Sequence, residues 1–170
     1  MSAQDSLVSL VFLPFVIPIA IWVAVSDLAT MKIRNKAVMA QFLVFALAGA
    51  GLAAYGAWDW MTYGWRYVHL VVVLIIGFVM NAVGLLGAGD AKYAAVMAPF
   101  IAVADLGSFA FMFAAVILLG FIFHRTAKRI GFIRRATPNW ESWERDDFPM
   151  GLCLGTMMVL YLVWAGLTGQ

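Results

Sequence analysis

Long apolar runs separated by short polar segments dominate the 170-residue chain. A membrane hydrocarbon core of about 30 Å needs about 20 apolar helical residues, with about 17 to 25 tolerated. Five runs approach this length, although the run 108–123 is slightly short. The other four are 7–25, 37–57, 67–86 and 151–168. The pattern therefore predicts an all-α, polytopic integral membrane protein, and we expect the run 7–25 to be a span because it exceeds the apolar region of a cleaved signal peptide.

A sixth apolar segment, 91–104, has only 14 residues and alone is compatible with a re-entrant arm as well as a span. Lysine and arginine favour the span, because cytoplasmic loops carry an excess of both. With six spans and the N-terminus outside, every Lys and Arg except Arg66 faces the cytoplasm. We therefore expect six transmembrane helices in one membrane domain, 1–170, with a cytoplasmic loop at 124–148.

Composition limits the classes of function. The chain is 65% hydrophobic with a mean hydropathy of +0.94, which is far too apolar for an ordinary soluble globule. A net charge of +2 is too small to indicate a nucleic-acid partner. Cys153 is the single cysteine, and His69 and His124 lie on opposite sides of the predicted membrane, so we expect neither a metal site nor a cofactor.

Two charged residues interrupt the apolar pattern in the stretch GLLGAGDAKYAA, 84–95. Asp90 and Lys92 are the only Asp, Glu, Lys or Arg residues within 67–104. Each would cost about 2.5 to 3.5 kcal/mol at the centre of a bilayer, so such charges usually line protein-enclosed or water-filled space. Asp90 is therefore a candidate functional residue, although a role as a helix N-cap is also compatible with its position.

Asp27 is the second candidate carboxylate, because it directly follows the first predicted span. The chain crosses the membrane twice between Asp27 and Asp90, which places both at the cytoplasmic face, although Asp27 alone could be an ordinary juxtamembrane acid. Two adjacent carboxyl groups can share a proton, so that one activates water and the other protonates the carbonyl or the leaving amine. Gly87 and Gly89 would let the backbone bend and approach an extended substrate. We interpret the remaining acids as solvated, including Asp105.

Three segments together resemble the type IV prepilin peptidases, which are GxGD-type membrane aspartyl proteases. They are DLATMKIRN from Asp27, GAGDAK at 87–92 and FPMG at 148–151. The resemblance is greatest to the short form associated with tight-adherence (Flp) pili. Arg34 stands where the family usually has Pro, and Met150 where it usually has Phe, which affects the expected loop shape and substrate fit.

The resemblance implies specific roles for these residues. Asp27 and Asp90 would be the catalytic pair, Gly87 and Gly89 supporting glycines, and Pro149 and Gly151 a structural motif before the last helix. The implied substrate is a prepilin with a basic cytoplasmic leader and an apolar helix, cut at their junction. The methyltransferase portion of longer members has no counterpart in the sequence, so we expect leader cleavage without N-methylation in the bacterial inner membrane, with the active site at its cytoplasmic face.

Other residues leave more than one interpretation. Lys92 could tune the charge of Asp90, contact the substrate or serve as a positive-inside anchor. Asn35 could order the loop after Asp27 through hydrogen bonds to the backbone. Membrane lipid and pilus assembly proteins are possible partners, and oligomeric state is left open.

Two alternative functions remain. One is a proton-coupled transporter subunit that uses Asp90 and Lys92, and the other is a non-catalytic pilus assembly membrane protein. We assign four residues to an outer interfacial belt: Trp58, Trp60, Trp65 and His69.

Overall fold

The computed structural model describes residues 1–169, which form seven α-helices, three short 3₁₀ turns and no β-strand. The helices are α1 Ser6–Thr30, α2 Asn35–Tyr55, α3 Trp60–Ala82, α4 Ala88–Met97, α5 Leu106–Ala127, α6 Gly131–Ala136 and α7 Met150–Thr168. Five of these, α1, α2, α3, α5 and α7, are long and apolar enough to cross a membrane. The all-α, multi-pass prediction is thereby confirmed, whereas six spans and an outside N-terminus stay predictions.

Capping explains why α3 differs from the predicted span 67–86. The helix begins at Trp60, because the Asp59 side chain accepts the backbone N–H of Thr62 at 2.8 Å. It ends at Ala82, and two residues later Gly84 adopts a φ of +77°. This left-handed conformation suits glycine and turns the chain toward α4.

Helices α1 and α7 form the centre of the bundle and run antiparallel. Gly151, Gly155 and Gly166 of α7 lie against Asp27, Ala20 and Leu10 of α1, respectively. The approach is so close that a Cβ atom at Gly155 would lie 2.7 Å from the Ala20 carbonyl oxygen. Small residues permit such backbone contact between membrane helices.

The segment predicted as the span 91–104 forms the short helix α4 and a 3₁₀ turn at Ala98–Phe100. Pro99 lies in this turn and has no N–H to continue the α-helical hydrogen bonding. The segment nevertheless passes from one end of the bundle to the other. Asp90 shares a cavity with Asp27 at the C-terminal end of α1, whereas Asp105 contacts Ser2 and the Ala3 backbone at the N-terminal end.

An aromatic cluster fills the core near the N-terminal end of α1. Phe45 packs against Phe12 and Phe100, with ring centroids 6.0 and 5.2 Å apart respectively. Trp58 belongs to this core and is buried, so its assignment to an interfacial belt was wrong. Its ring lies 5.1 Å from the Arg66 guanidinium carbon, a cation–π contact that favours a tryptophan inside the bundle.

The predicted loop 124–148 is partly ordered into helices. Residues 124–127 continue α5, and α6 and a 3₁₀ turn at Glu141–Trp143 follow. The Trp143 ring is buried and stacks on the His124 ring, with centroids 5.2 Å apart. The segment therefore packs against the bundle through this aromatic contact, while most of its charged side chains stay exposed.

Candidate active site

Asp27 lies near the C-terminal end of α1 and faces the first turn of α7. Its side chain is 5% exposed, and its Oδ2 accepts the backbone N–H of Gly151 at 2.6 Å. The first N–H groups of a helix have no partner inside the helix, and the helix dipole favours a negative charge there. The start of α7 is thus a built-in donor site for the Asp27 carboxylate.

The motif around Pro149 explains why α7 begins at this point. Pro149 is buried and occupies the N-cap position with a φ of −70°, and Met150 and Gly151 start the helix. A Cβ atom at Gly151 would lie 2.8 Å from Asp27 Cβ and 2.9 Å from Asp27 Oδ2. The absence of a side chain at residue 151 is therefore required for the contact between α7 and Asp27.

Asp90 occupies the first turn of α4, directly after the loop that contains Gly87. A Cβ atom at Gly87 would lie 2.5 Å from Asp90 Oδ2, so this glycine leaves space beside the carboxyl group. Gly89 has a different role, because a Cβ atom there would lie 3.3 Å from Ile33 Cβ. The two glycines thus shape the Asp90 environment and the contact of α4 with the loop between α1 and α2.

Asp27 and Asp90 line the same two cavities, which have volumes of about 350 and 320 Å³. The larger cavity is also bounded by Leu86, Arg145 and Phe148. The smaller one includes Lys32, Ile33, Asn35, Gly87, Gly89 and Lys92 among its lining residues. The structure therefore brings the two predicted carboxylates together, although 62 intervening residues separate them in sequence.

The electrostatic environment makes Asp90 hard to ionise. Burial raises the pKa of Asp90 to about 6, and the negative charge of Asp27 adds to this shift. A hydrogen bond from the Gly87 backbone acts in the opposite direction. A carboxyl group that holds its proton up to about pH 6, beside a second carboxyl group, is an arrangement that acid–base hydrolysis by paired aspartates can use.

Lys92 and Asn35 lie at the edge of the smaller cavity and contact each other. Lys92 Nζ donates to Asn35 Oδ1 at 3.4 Å, and both side chains are exposed. Within residues 1–169 the ion pairs are Arg134–Glu144 and Arg145–Asp147. The Asp90–Lys92 ion pair that the transporter alternative uses is therefore not formed in this part of the chain, and Asn35 contacts the Lys92 side chain.

Two residues of the larger cavity were missed by sequence reasoning. Asp147 was interpreted as a solvated acid and Arg145 as a basic residue of the cytoplasmic loop, yet both line the cavity that holds Asp27 and Asp90. Their side chains form an ion pair at 3.3 Å across the cavity rim. Their nearness in sequence to the FPMG motif, which ends at Gly151, was the available signal.

Asp105 lies at the opposite end of the bundle, and its interpretation as a solvated charge was wrong. It is 3% exposed and accepts hydrogen bonds from the Ser2 hydroxyl, the Ala3 backbone N–H and the Tyr161 hydroxyl. These hydrogen bonds offset the cost of burying a carboxylate.

No three His, Cys, Asp or Glu side chains of residues 1–169 are grouped so that they could hold a metal ion.

Comparison with known proteins finds a match to a family model. The model of the type IV leader peptidase family matches residues 14–124, which include Asp27 and Asp90 but not the segment 149–151. Neither the curated proteins nor the solved structures contain a match to this chain.

Proposed function

The chain belongs to the type IV leader peptidase family, and we propose that it is a membrane aspartyl endopeptidase that removes the cytoplasmic leader peptide of a prepilin. The observation that carries this proposal is the shared location of Asp27 and Asp90 in two cavities at one end of the bundle. Cavities of this size can admit an extended peptide and a water molecule.

In the proposed reaction, ionised Asp27 takes a proton from the water while the water oxygen attacks the scissile carbonyl carbon. The peptide C–N bond then breaks, and Asp90 gives its proton to the departing nitrogen. The roles follow from the surroundings, because Asp27 receives the Gly151 N–H at the start of α7. Asp90, whose pKa is raised to about 6, is the better proton donor.

Charge distribution supports a cytoplasmic location for this end of the bundle. Lys32, Lys92 and Arg145 line the same cavities as the two aspartates. Because Lys and Arg accumulate on the cytoplasmic side, the catalytic end would face the cytoplasm of the cell, across the bacterial inner membrane. The passage of the segment 88–105 from this end to the other supports the six-span topology with the N-terminus outside.

The decisive experiment replaces each aspartate with its uncharged isostere. Asp27→Asn or Asp90→Asn should lower prepilin cleavage at least about 10³-fold, because neither amide can exchange the required proton. Leader removal is measured in proteoliposomes by mass spectrometry, with a tight-adherence pilin as the first substrate. Asp59→Asn is the control, since Asp59 is an exposed cap of α3. Wild-type cleavage rates in both single variants would refute the proposal.

A further inference from the structure

A third cavity, of about 360 Å³, lies beyond the two that contain the carboxylates. His69, Val72 and Val73 of α3 form one wall, and Leu106, Phe109 and Phe113 of α5 form the other. The floor is formed by the α4 segment and by Leu154 of α7. All of its lining side chains except His69 are apolar. We call this cavity the α3–α5 groove.

The α4 segment connects the groove to the carboxylates. Asp90, Ala94 and Met97 follow one another at intervals of four and three residues, which places them on one side of α4, and Ile101 follows directly after the 3₁₀ turn. Asp90 lines both catalytic cavities, and the other three residues line the α3–α5 groove. The helical part of this stripe, from Asp90 to Met97, is about 10 Å long, or about two helical turns.

The α3–α5 groove is open toward the outside of the helical bundle. Helix α3 packs on α4, and α5 packs on α7. Along α5 the buried residues are confined to its last turn, His124 and Ala127, so most of its surface is uncovered. An apolar groove on helices of membrane-spanning length requires an apolar occupant or lipid to cover it.

We propose that the α3–α5 groove binds the apolar helix of the prepilin whose leader is cut at Asp27 and Asp90, an inference that rests on the proposed function. In such a substrate the helix begins next to the scissile bond, so it must leave the carboxylates along a path into the membrane. The α4 stripe provides that path. An anionic lipid fits less well, because its headgroup would meet two carboxyl groups at the cytoplasmic end of the groove.

Adjacent valines of α3 provide a matched test. Val72 lines the groove, whereas Val71 does not, and their side chains are 47% and 51% exposed. Two substrates are compared, a membrane-anchored prepilin and a soluble peptide with the leader and cleavage junction but no apolar helix. Val72→Trp should lower cleavage of the anchored prepilin at least about tenfold more than cleavage of the peptide, because the indole occupies the helix site. Val71→Trp should not change this ratio.

The outcomes separate the two proposals. If Val72→Trp leaves the ratio of the two cleavage rates at the wild-type value, the groove is not the helix site. If the wild-type protein cleaves neither substrate, the proposed function itself fails. A photo-crosslinking amino acid at residue 72 of the Asp90→Asn variant gives a second measurement. Adducts to the prepilin support the proposal, whereas adducts to lipid alone, with the prepilin present, would overturn it.

Discussion

Asp27 and Asp105 are both buried, at opposite ends of the bundle, but their partners differ. Asp105 accepts three hydrogen bonds, from Ser2, Ala3 and Tyr161 at 2.7 to 2.9 Å. Asp27 accepts one, from Gly151, and faces two cavities. A carboxylate offers about four acceptor positions, so Asp27 keeps spare capacity beside open space while Asp105 is nearly saturated. Burial alone thus does not distinguish an aspartate with free acceptor positions beside a cavity from a nearly saturated one, because Asp105 is buried as deeply as Asp27.

The surroundings of the two ends extend this difference. Near Asp105, Arg66 donates to Gln4 Oε1 at 2.6 Å and to the Pro99 carbonyl at 3.3 Å. These bonds join the N-terminal segment, α3 and the turn after α4 into one buried polar cluster. At the other end, the neighbouring charge is a second carboxylate, Asp90. The polar groups at the Asp105 end are thus paired with one another and stabilise the fold. At the other end, Asp27 and Asp90 lie close together and neither forms an ion pair with another residue of 1–169.

The largest effect that sharpens this comparison is expected at Gly151. Gly151→Ala should lower prepilin cleavage about 10²-fold, because the new Cβ atom would displace the Asp27 carboxylate from its position. Gly131→Ala is the matched control, since a Cβ atom there would meet nothing within 4 Å. Initial cleavage rates of both variants test the prediction, and equal rates would show that the Gly151 contact does not position Asp27.

Asp105→Ala should lower the stability of the protein but leave cleavage nearly unchanged. Loss of the carboxylate leaves buried donors on Ser2, Ala3 and Tyr161 unpaired, which should lower the free energy of unfolding by about 1 to 3 kcal/mol. Cleavage per folded molecule should stay within about threefold of wild type, because the two ends are far apart. Thermal unfolding in detergent and cleavage rates measure the two quantities.

Asp59→Ala is the control for that experiment. It removes an exposed helix cap and should lower the midpoint of thermal unfolding less than Asp105→Ala does. An Asp105→Ala protein that melts like wild type but no longer cleaves would reverse the roles assigned to the two ends.

The remaining prediction is a pH dependence of cleavage. The pKa of Asp90 is raised to about 6, so its proton is present below that pH and is lost above it. Because the proposed reaction uses this proton, the cleavage rate should fall about tenfold per pH unit above pH 6. The folded fraction of Asp105→Ala should show the same descending limb. A rate that stays constant from about pH 6 to about pH 8 would contradict the role of Asp90 as proton donor.

The main features of the candidate site could be predicted from the sequence. Counting spans placed Asp27 and Asp90 at one end, and the structure brings both into the same cavities. The resemblance singled out Gly151, which contacts Asp27. The cavity residues Arg145 and Asp147 were missed, because their position depends on how the segment after α6 folds back, which neither hydropathy nor spacing specifies.

The membrane helices could likewise be predicted from the sequence, but not all of their boundaries or buried contacts. Runs of apolar residues indicated the membrane helices, but α3 begins at Trp60 because a local cap extends it beyond the apolar run. Trp58 was assigned to the membrane interface from composition alone. It is buried because the Arg66 guanidinium and the Phe12 and Phe45 rings surround it, a contact between distant parts of the chain.

The sequence by itself determined the membrane class, the helical fold and the two carboxylates, because hydropathy and charge act locally along the chain. Only the tertiary structure decided which acids line cavities and which are enclosed by hydrogen-bond donors. Asp27, Asp90 and Asp105 are the same residue type in apolar surroundings, and they differ in the donors and cavities supplied by residues far away in sequence. Those long-range contacts arise from packing of α1, α4 and α7, which residue order alone does not specify.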